Sequence, residues 1–154
     1  THPIEATADL NHIIGEWIDF IESRCAKNDI KIELKLDENL SKVNGDPAQL
    51  NQVLINVVVN AIHAMPDGGI LTIQTRQSKN RVSLVIQDTG AGIEEEVKDS
   101  IFLPFFTTKD VDQGTGLGLS VVHGIVQEHG GGIGVESKVG CGTTFEIWLP
   151  IRMR

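Results

Sequence analysis

Apolar residues recur every three or four positions in three long stretches of the chain, a spacing that predicts amphipathic helices. The first helix is predicted over about residues 9–27 and the third over about residues 117–129. The second is predicted to begin at Asp46-Pro47, an N-cap followed by a proline at the first helical position, with Gln49 expected to complete a capping box. The apolar positions of the first helix are Leu10, Ile13, Ile14, Trp17, Ile18 and Ile21, and those of the second are Leu50, Val53, Leu54, Val57 and Val58.

Shorter stretches in which apolar and polar residues alternate predict strands. Ile32, Leu34 and Leu36 follow this pattern after the first helix. Four more strands are predicted at about residues 70–77, 81–88, 132–137 and 143–149, with a short acidic helix near residues 94–100. This order of elements predicts an α/β two-layer sandwich, in which one mixed sheet of about five strands is covered on one face by about three helices.

The charge balance of the chain argues against one class of function. Its 154 residues carry 13 Lys and Arg against 21 Asp and Glu, a net charge of −8, whereas a nucleic-acid-binding domain is expected to be basic. No apolar run reaches the roughly 20 residues of a membrane span, and no signal peptide is visible. Cys25 and Cys141 are expected to be ordinary reduced thiols. We therefore expect one cytoplasmic domain over residues 9–154, with no nucleic-acid partner. This domain is expected to make no direct membrane contact, even if the full-length protein is membrane-anchored.

The run GTGLGLS, residues 114–120, comes directly before the third helix. Closely spaced glycines allow backbone N–H groups to surround phosphate oxygens, and the N-terminus of a helix adds a partial positive charge. Such a run alone is a weak indication of a phosphate site. The chain lacks the P-loop motif, and the run does not follow a first strand as a Rossmann fingerprint does.

Polar residues form a stripe along the second helix. Gln52, Asn56, Asn60 and His63 follow one another at steps of four, four and three, so they share one side of the helix. Asn is a poor helix former, which indicates a task for two of them in mid-helix. An amide oxygen is a suitable ligand for Mg²⁺, which takes few protein ligands. A solvated helix face is the alternative.

An acidic residue ends the strand at 81–88. Val82, Leu84 and Ile86 point to one face, and Asp88 continues that face before the sequence Thr-Gly-Ala-Gly. Such a carboxylate is able to accept a hydrogen bond from the exocyclic amine of a base. The alternative is a capped turn, because Asp-x-Gly is common in loops.

The segment 102–116 has no clean periodicity and is predicted to be a loop, long enough to be a candidate lid. Phe105 and Phe106 are expected to anchor this loop, and Lys109 is able to reach a terminal phosphate. The alternative is a pinned loop with a solvated lysine. His123 and His129 lie six residues apart, which is not a metal-ligand spacing, and both are expected to be structural or solvated.

Together these segments resemble the catalytic ATP-binding domain of sensor histidine kinases of two-component systems, within the gyrase/Hsp90/histidine kinase/MutL superfamily. NVVVNAIHAM (56–65) resembles the Asn box, DTGAGI (88–93) the first glycine box, and IFLPFFTTK (101–109) the Phe box. GTGLGLS resembles the second glycine box and GCGTTF (140–145) the last. The form PFFTTK is similar to that of the nitrogen-regulation type of kinase. The resemblance covers about residues 9–150 and implies a Bergerat-type fold.

The resemblance implies two ligands, ATP and Mg²⁺. Asn60 is implied to ligate the metal, with Asn56 and His63 near the phosphates. Asp88 is implied to bind the adenine amine, and Thr144 to support the base through water. Lys109, His63 and Asn56 are implied to act in catalysis, with Lys109 at the γ-phosphate. The remaining implied binding residues are Gly90, Gly92, Ile93, Thr107, Thr108, Gly114, Thr115, Gly116, Leu117, Gly118 and Leu119.

The implied activity is that of a protein-histidine kinase, which donates the γ-phosphoryl group of ATP to a histidine on a separate dimerisation helix. The implied partners are the protein's own dimerisation and phosphoacceptor helices and a response regulator receiver domain. Residues 1–8 would be the remnant of a linker to those helices. No histidine of this chain has the sequence context of a phosphoacceptor, so the chain alone is expected not to autophosphorylate.

Two departures from the family pattern qualify these roles. His63 stands where a Lys is often found, and Asn56 stands where superfamily members that hydrolyse ATP carry a Glu. Because an amide cannot take a proton from water, poor intrinsic hydrolysis is expected. The alternative functions are an anti-sigma-type serine kinase, a non-catalytic nucleotide-binding module, and an ATPase clamp of the gyrase or Hsp90 sort.

Overall fold

Three long helices form where the apolar periodicity predicts them. The computed structural model describes residues 6–103 and 118–151, and in it the helices are α1 (Leu10–Ala26), α2 (Pro47–His63) and α3 (Gly118–Glu128). The acidic segment is a 3₁₀ helix at Glu95–Ser100. Asp9 caps α1, because its carboxylate accepts hydrogen bonds from the backbone N–H groups of residues 11 and 12.

The five predicted strands form one mixed sheet. They are β2 (Ile30–Lys35), β4 (Gly69–Gln77), β5 (Arg81–Asp88), β6 (Gly132–Lys138) and β7 (Gly142–Pro150). Their order across the sheet is β2-β4-β5-β7-β6. The β2–β4 pair is parallel and the other three pairs are antiparallel. The prediction of a mixed five-stranded sheet is confirmed, and β5 lies at its centre.

A small second ribbon was not predicted from the sequence. Strands β1 (Thr7–Ala8) and β3 (Val43–Asn44) pair antiparallel, and Val43 also bridges to Ile151. Strands of two residues are too short to show an alternating pattern. Ala8 is buried in the core, so this ribbon packs against the rest of the domain.

The helices cover one face of the sheet and bury its inward-facing side chains. Along β4 and β5 every second residue points toward the helices, and the apolar ones among them are essentially inaccessible to solvent. Examples on these strands and on β7 are Leu71, Ile73, Val82, Ile86, Phe145 and Ile147. Cys25 of α1 joins this core, and burial raises the pKa of its thiol. Cys141 is exposed in the turn between β6 and β7.

Long polar and aromatic side chains lie on the other face of the sheet. Arg76 Nη2 donates to Glu146 Oε1 at 2.9 Å, and the guanidinium of Arg81 stacks 4.1 Å from the ring centre of Trp148. Beneath this cover Ser83 of the central strand is buried, although it points away from the helices.

The start of α2 differs from the predicted capping box. The Asp46 carboxylate accepts from the Ala48 N–H at 3.0 Å, as expected for an N-cap. The Asp46 N–H, however, donates to Nε2 of His129 at 3.2 Å rather than to Gln49. His129 Nδ1 lies 2.8 Å from the Ile125 carbonyl oxygen, so with Nε2 accepting, Nδ1 carries the hydrogen. His129 is therefore structural, and it joins the end of α3 to the start of α2.

None of the helices within residues 6–103 and 118–151 is long and apolar enough to cross a membrane.

Candidate nucleotide-binding site

Asp88 ends the central strand at the helix-covered face and is 3 % exposed. Its Oδ1 accepts a hydrogen bond of 2.8 Å from the N–H of Gly90. The carboxylate is thus held in place by the turn that follows it. A buried acidic group at a strand end, next to a close backbone turn, is able to select a ligand group that donates hydrogen bonds.

Thr143, and not Thr144, is the threonine beside Asp88. The antiparallel register of β5 and β7 pairs Asp88 with Thr143, whereas Thr144 lies opposite Gln87. Successive side chains of a strand point to opposite faces, so Thr144 points away from the helix-covered side. Thr143 is 5 % exposed and shares the face of Asp88. The register therefore favours Thr143 over Thr144 as the threonine that acts together with Asp88.

The loop at residues 89–93 is held from both sides. On the α2 side, the Ala91 N–H donates to the Ala64 carbonyl at 3.3 Å. On the β6–β7 side, the Gly140 N–H donates to the Ala91 carbonyl at 2.8 Å. The Ile93 N–H donates to Oγ of Ser137 at 2.7 Å. Hydrogen bonds therefore connect the loop after β5 to the end of α2 on one side and to β6 and the β6–β7 turn on the other.

Two glycines of this loop are required by the protein's own packing. A Cβ on Gly90 would lie 2.2 Å from the Ala64 carbonyl oxygen. Gly92 has φ +80°, and its Cβ would lie 2.3 Å from the Lys138 carbonyl oxygen. The sequence suggested that these glycines let the backbone approach a ligand ring. The structure shows that they also let the loop approach α2 and β6.

The polar stripe on α2 is present. Asn56, Asn60 and His63 are half-buried and Gln52 is exposed, all on this one helix. Asn56 Nδ2 donates to the Gly118 carbonyl at 3.4 Å, a long hydrogen bond that joins α2 to the first residue of α3. Gly118 and Leu119, predicted as part of the phosphate-binding run, form the start of α3 and are half-buried.

Several predicted site residues lie outside the described residues. They are Thr107, Thr108, Lys109, Gly114, Thr115, Gly116 and Leu117, together with the predicted anchors Phe105 and Phe106. Within the described part of that segment, Phe102 is the aromatic residue that packs on the body. Its ring centre lies 5.5 Å from that of His123 on α3 and 6.4 Å from that of Phe145 on β7.

Ser137 was not singled out from the sequence, yet it connects the loop after Asp88 to β7. Its hydroxyl contacts Ile93, Gly142 and Thr143, residues that lie 44, 5 and 6 positions away. A serine in a strand has no local signal that reveals a bond to a residue so far along the chain. The geometry of the sheet end was needed to find it.

Comparisons with known proteins agree with this arrangement. The profile of the family described as histidine kinase-, DNA gyrase B-, and HSP90-like ATPase matches residues 45–153. The chain is 38 % identical to the sensor histidine kinase ZraS of Escherichia coli over 153 residues, which covers 99 % of this chain and 32 % of that protein. It is 40 % identical to the sensor kinase CckA of Brucella abortus, over 92 % of this chain and 16 % of that protein. The chain thus spans about a third or less of these curated relatives.

Solved structures give the same result. The catalytic domain of histidine kinase ThkA, in a nucleotide-free form, superposes with a TM-score of 0.85 at 37 % identity, covering 95 % of each chain. The fold and the family match thus define an ATP-binding domain of the kind found in kinases and ATPases that share this sandwich. The chain belongs to the histidine kinase-, DNA gyrase B-, and HSP90-like ATPase family. Within it, the chain corresponds to the catalytic ATP-binding domain of sensor histidine kinases.

Proposed function

We propose that this domain binds Mg·ATP and donates the γ-phosphoryl group to a histidine on the dimerisation helix of a larger sensor kinase. The observation that carries this proposal is the pairing of buried Asp88 with Thr143 at one sheet end, next to the α2 helix that bears Asn56, Asn60 and His63. The family and the ThkA catalytic domain support the ATP-binding part of the proposal. Histidine as the acceptor rests on the sensor histidine kinases among the relatives.

The base end of the proposed site favours adenine. Asp88 and Thr143 bring a carboxylate and a hydroxyl oxygen together on the covered face. Adenine presents an exocyclic amine, a donor, where guanine and hypoxanthine present a carbonyl oxygen. A carboxylate oxygen accepts from the amine, whereas a carbonyl oxygen at that place would set one acceptor against another.

The phosphate end would carry the Mg²⁺ ion. Within the described residues no group of three His, Cys, Asp or Glu side chains is placed to hold a metal. The amide of Asn60 nonetheless suits Mg²⁺, which takes one or two protein ligands and completes its shell with phosphate oxygens and water. When bound, the ion neutralises negative charge that develops on the phosphates. His63 would add a hydrogen-bonding group beside Asn60, and Lys109 is proposed to add a positive charge at the γ-phosphate.

The side chain of Asn56 sets a limit on the chemistry of the chain by itself. An amide cannot act as a general base, and Asn56 already donates to the Gly118 carbonyl. We therefore expect slow ATP hydrolysis. Transfer of the γ-phosphoryl group would require the phosphoacceptor helix, which supplies the nucleophile. Positioning and electrostatics account for the rate of such a transfer.

We further propose that the complete protein hands the phosphoryl group to a response regulator receiver domain. A solved structure of ThkA in complex with the response regulator protein TrrA contains a domain that matches this chain with a TM-score of 0.81 at 33 % identity. The match covers 96 % of this chain and 42 % of that one. We assign the domain to the cytoplasm, where ATP and receiver domains are found.

Transfer in trans tests the proposal. The domain would be mixed with the separate dimerisation and phosphoacceptor domain of a related sensor histidine kinase and with radiolabelled Mg·ATP. We expect label on the acceptor that is lost in acid and kept in base, as phosphohistidine is. The Asp88→Asn variant is the matched control and should transfer much less. Acid-stable label on a serine would instead establish the serine-kinase alternative.

A further inference from the structure

We propose that Ser137 sets the direction of the hydrogen bonds at the adenine end and so contributes to selection of the base. The inference rests on the proposed function, because it concerns the same nucleotide site. It starts from the three contacts of a single hydroxyl on β6, a strand that carries none of the residues predicted from the sequence to bind nucleotide.

The contacts of Ser137 use the full capacity of its hydroxyl. Oγ accepts from the Ile93 N–H at 2.7 Å, lies 3.0 Å from the Gly142 carbonyl oxygen, and lies 2.8 Å from Thr143 Oγ1. A hydroxyl has one hydrogen to donate and two lone pairs to accept with. The Gly142 carbonyl has no hydrogen to give, so Ser137 donates to it.

This assignment fixes the role of Thr143. Because the hydrogen of Ser137 goes to Gly142, the 2.8 Å contact between the two hydroxyls uses the hydrogen of Thr143. Thr143 Oγ1 then has only lone pairs left for a ligand or a bridging water. It stands opposite Asp88 in the sheet register, and the carboxylate is also an acceptor.

The site therefore presents two acceptors at one place. Two acceptors match a ligand edge that donates, such as the adenine amine or a water bound to it. They disfavour a base that carries a carbonyl oxygen there. Ser137 does not need to touch the nucleotide to have this effect, so it is a positioning residue that acts through Thr143.

Ser137 also orders the loop that the nucleotide would contact. Ile93 was predicted to line the base, and its N–H is held by Ser137 across the gap between the loop and β6. Loop position influences every nucleotide alike, whereas the direction of the Thr143 hydroxyl influences bases differently. The two effects are therefore separable by comparing nucleotides.

Calorimetric titration with Mg·ATP and Mg·ITP tests the inference. Inosine carries a carbonyl where adenosine carries an amine. The Ser137→Ala variant frees the Thr143 hydroxyl to donate, so we expect the preference for ATP over ITP to fall by about three- to tenfold, the range of one net hydrogen bond. Ser137→Thr keeps a hydroxyl and should restore the preference. Equal weakening of both nucleotides, or no change in the ratio, would overturn the inference.

Two controls sharpen this result. Ser83→Ala removes a buried serine from the opposite face of the sheet and should leave the ratio unchanged. In a Thr143→Val background the Ser137→Ala change should no longer alter the ratio, because the hydroxyl through which it acts is absent. A persistent effect in that background would contradict the route through Thr143.

Amide hydrogen exchange in the nucleotide-free domain provides a readout that does not depend on binding. Ser137→Ala should accelerate exchange of the Ile93 N–H, and Ser83→Ala should not. If Ile93 responded in this way but the wild-type domain bound neither nucleotide, the hydrogen-bond network would be supported. The proposed function would then be overturned, and the base-selection inference would fall with it. An unchanged Ile93 exchange rate would contradict the network itself.

Discussion

The two ends of the proposed pocket are built in different ways. At the base end, the loop after Asp88 is held by hydrogen bonds of 2.7 Å to β6 and 2.8 Å to the β6–β7 turn, with a longer one of 3.3 Å to the end of α2. At the phosphate end, half-buried side chains project from one helix, and the bond from Asn56 to Gly118 is 3.4 Å long. The base end is thus part of the folded core, whereas the phosphate end is a row of side chains on its surface. We expect substitutions at the base end to change folding or base binding strongly, and those at the phosphate end to have smaller, ion-dependent effects.

The largest effect is expected from Asp88→Asn. The amide removes a charged acceptor from a residue that is 3 % exposed, so adenine-nucleotide binding should weaken by about 1.5–3 kcal/mol. Isothermal titration with Mg·ATP measures the loss. Asp67→Asn is the matched control, because Asp67 is an exposed carboxylate in the turn after α2. Unchanged affinity in Asp88→Asn would remove the base-reading role.

Gly90→Ala tests whether the base end is part of the packed core. The added methyl group would lie 2.2 Å from the Ala64 carbonyl oxygen, so loop or helix must shift. We expect the free energy of unfolding to fall by about 1–3 kcal/mol, measured by urea denaturation. Gly134→Ala is the control, since a Cβ on Gly134 would have no atom within 4 Å. Equal stability of the two variants would show that the loop accommodates the methyl group. The base end would then be packed no more tightly than the phosphate end.

Asn60→Ala tests the phosphate end. If Asn60 ligates the metal, the variant should lose about 1 kcal/mol of affinity for Mg·ADP, the order of a single polar interaction, while binding of ADP in excess chelator is little altered. Titrations with and without Mg²⁺ measure the difference. A loss of the same size under both conditions would count against metal ligation and in favour of a direct role at the nucleotide.

The smallest effect is expected from Asn56→Ala. Its hydrogen bond to the Gly118 carbonyl is long and alanine is the better helix former, so the free energy of unfolding should fall by no more than about 0.5 kcal/mol. Gln52→Ala, one turn earlier and exposed, serves as the control and should be neutral. A destabilisation as large as that of Gly90→Ala would mean that the phosphate end is as tightly built as the base end.

The same contrast explains what the sequence was able to predict. Periodicity located α1, α2, α3 and the five strands of the main sheet, most clearly where an element buries one regularly spaced face, as α2, β4, β5 and β7 do. Asp88 was found because it continues the inward row of β5. The stripe on α2 was found because helical spacing places its members on one side. The positions of these side chains follow from each element's own period, but the alternation on β2 predicted an apolar face on which Leu34 is in fact exposed.

Features that depend on how distant segments meet carry no local signal in the sequence. The choice between Thr143 and Thr144 depends on the register of β7 against β5, and two adjacent threonines give no local sign of it. Ser137 reaches Ile93 across 44 positions. His129 replaces the predicted Gln49 partner at the α2 cap because the chain brings the end of α3 there, 83 positions from Asp46. In each of these places, tertiary contact decided among local options that looked equivalent.

The ring of His129 gives the two helices that flank the phosphate end a common fixed point. It accepts from the residue that starts α2 and donates within the last turn of α3, so the imidazole must keep one tautomer to satisfy both. Sliding α3 by one turn would move this ring about 5.4 Å away and leave an amide at the head of α2 without its acceptor. This one ring therefore fixes the far end of α3 relative to the start of α2.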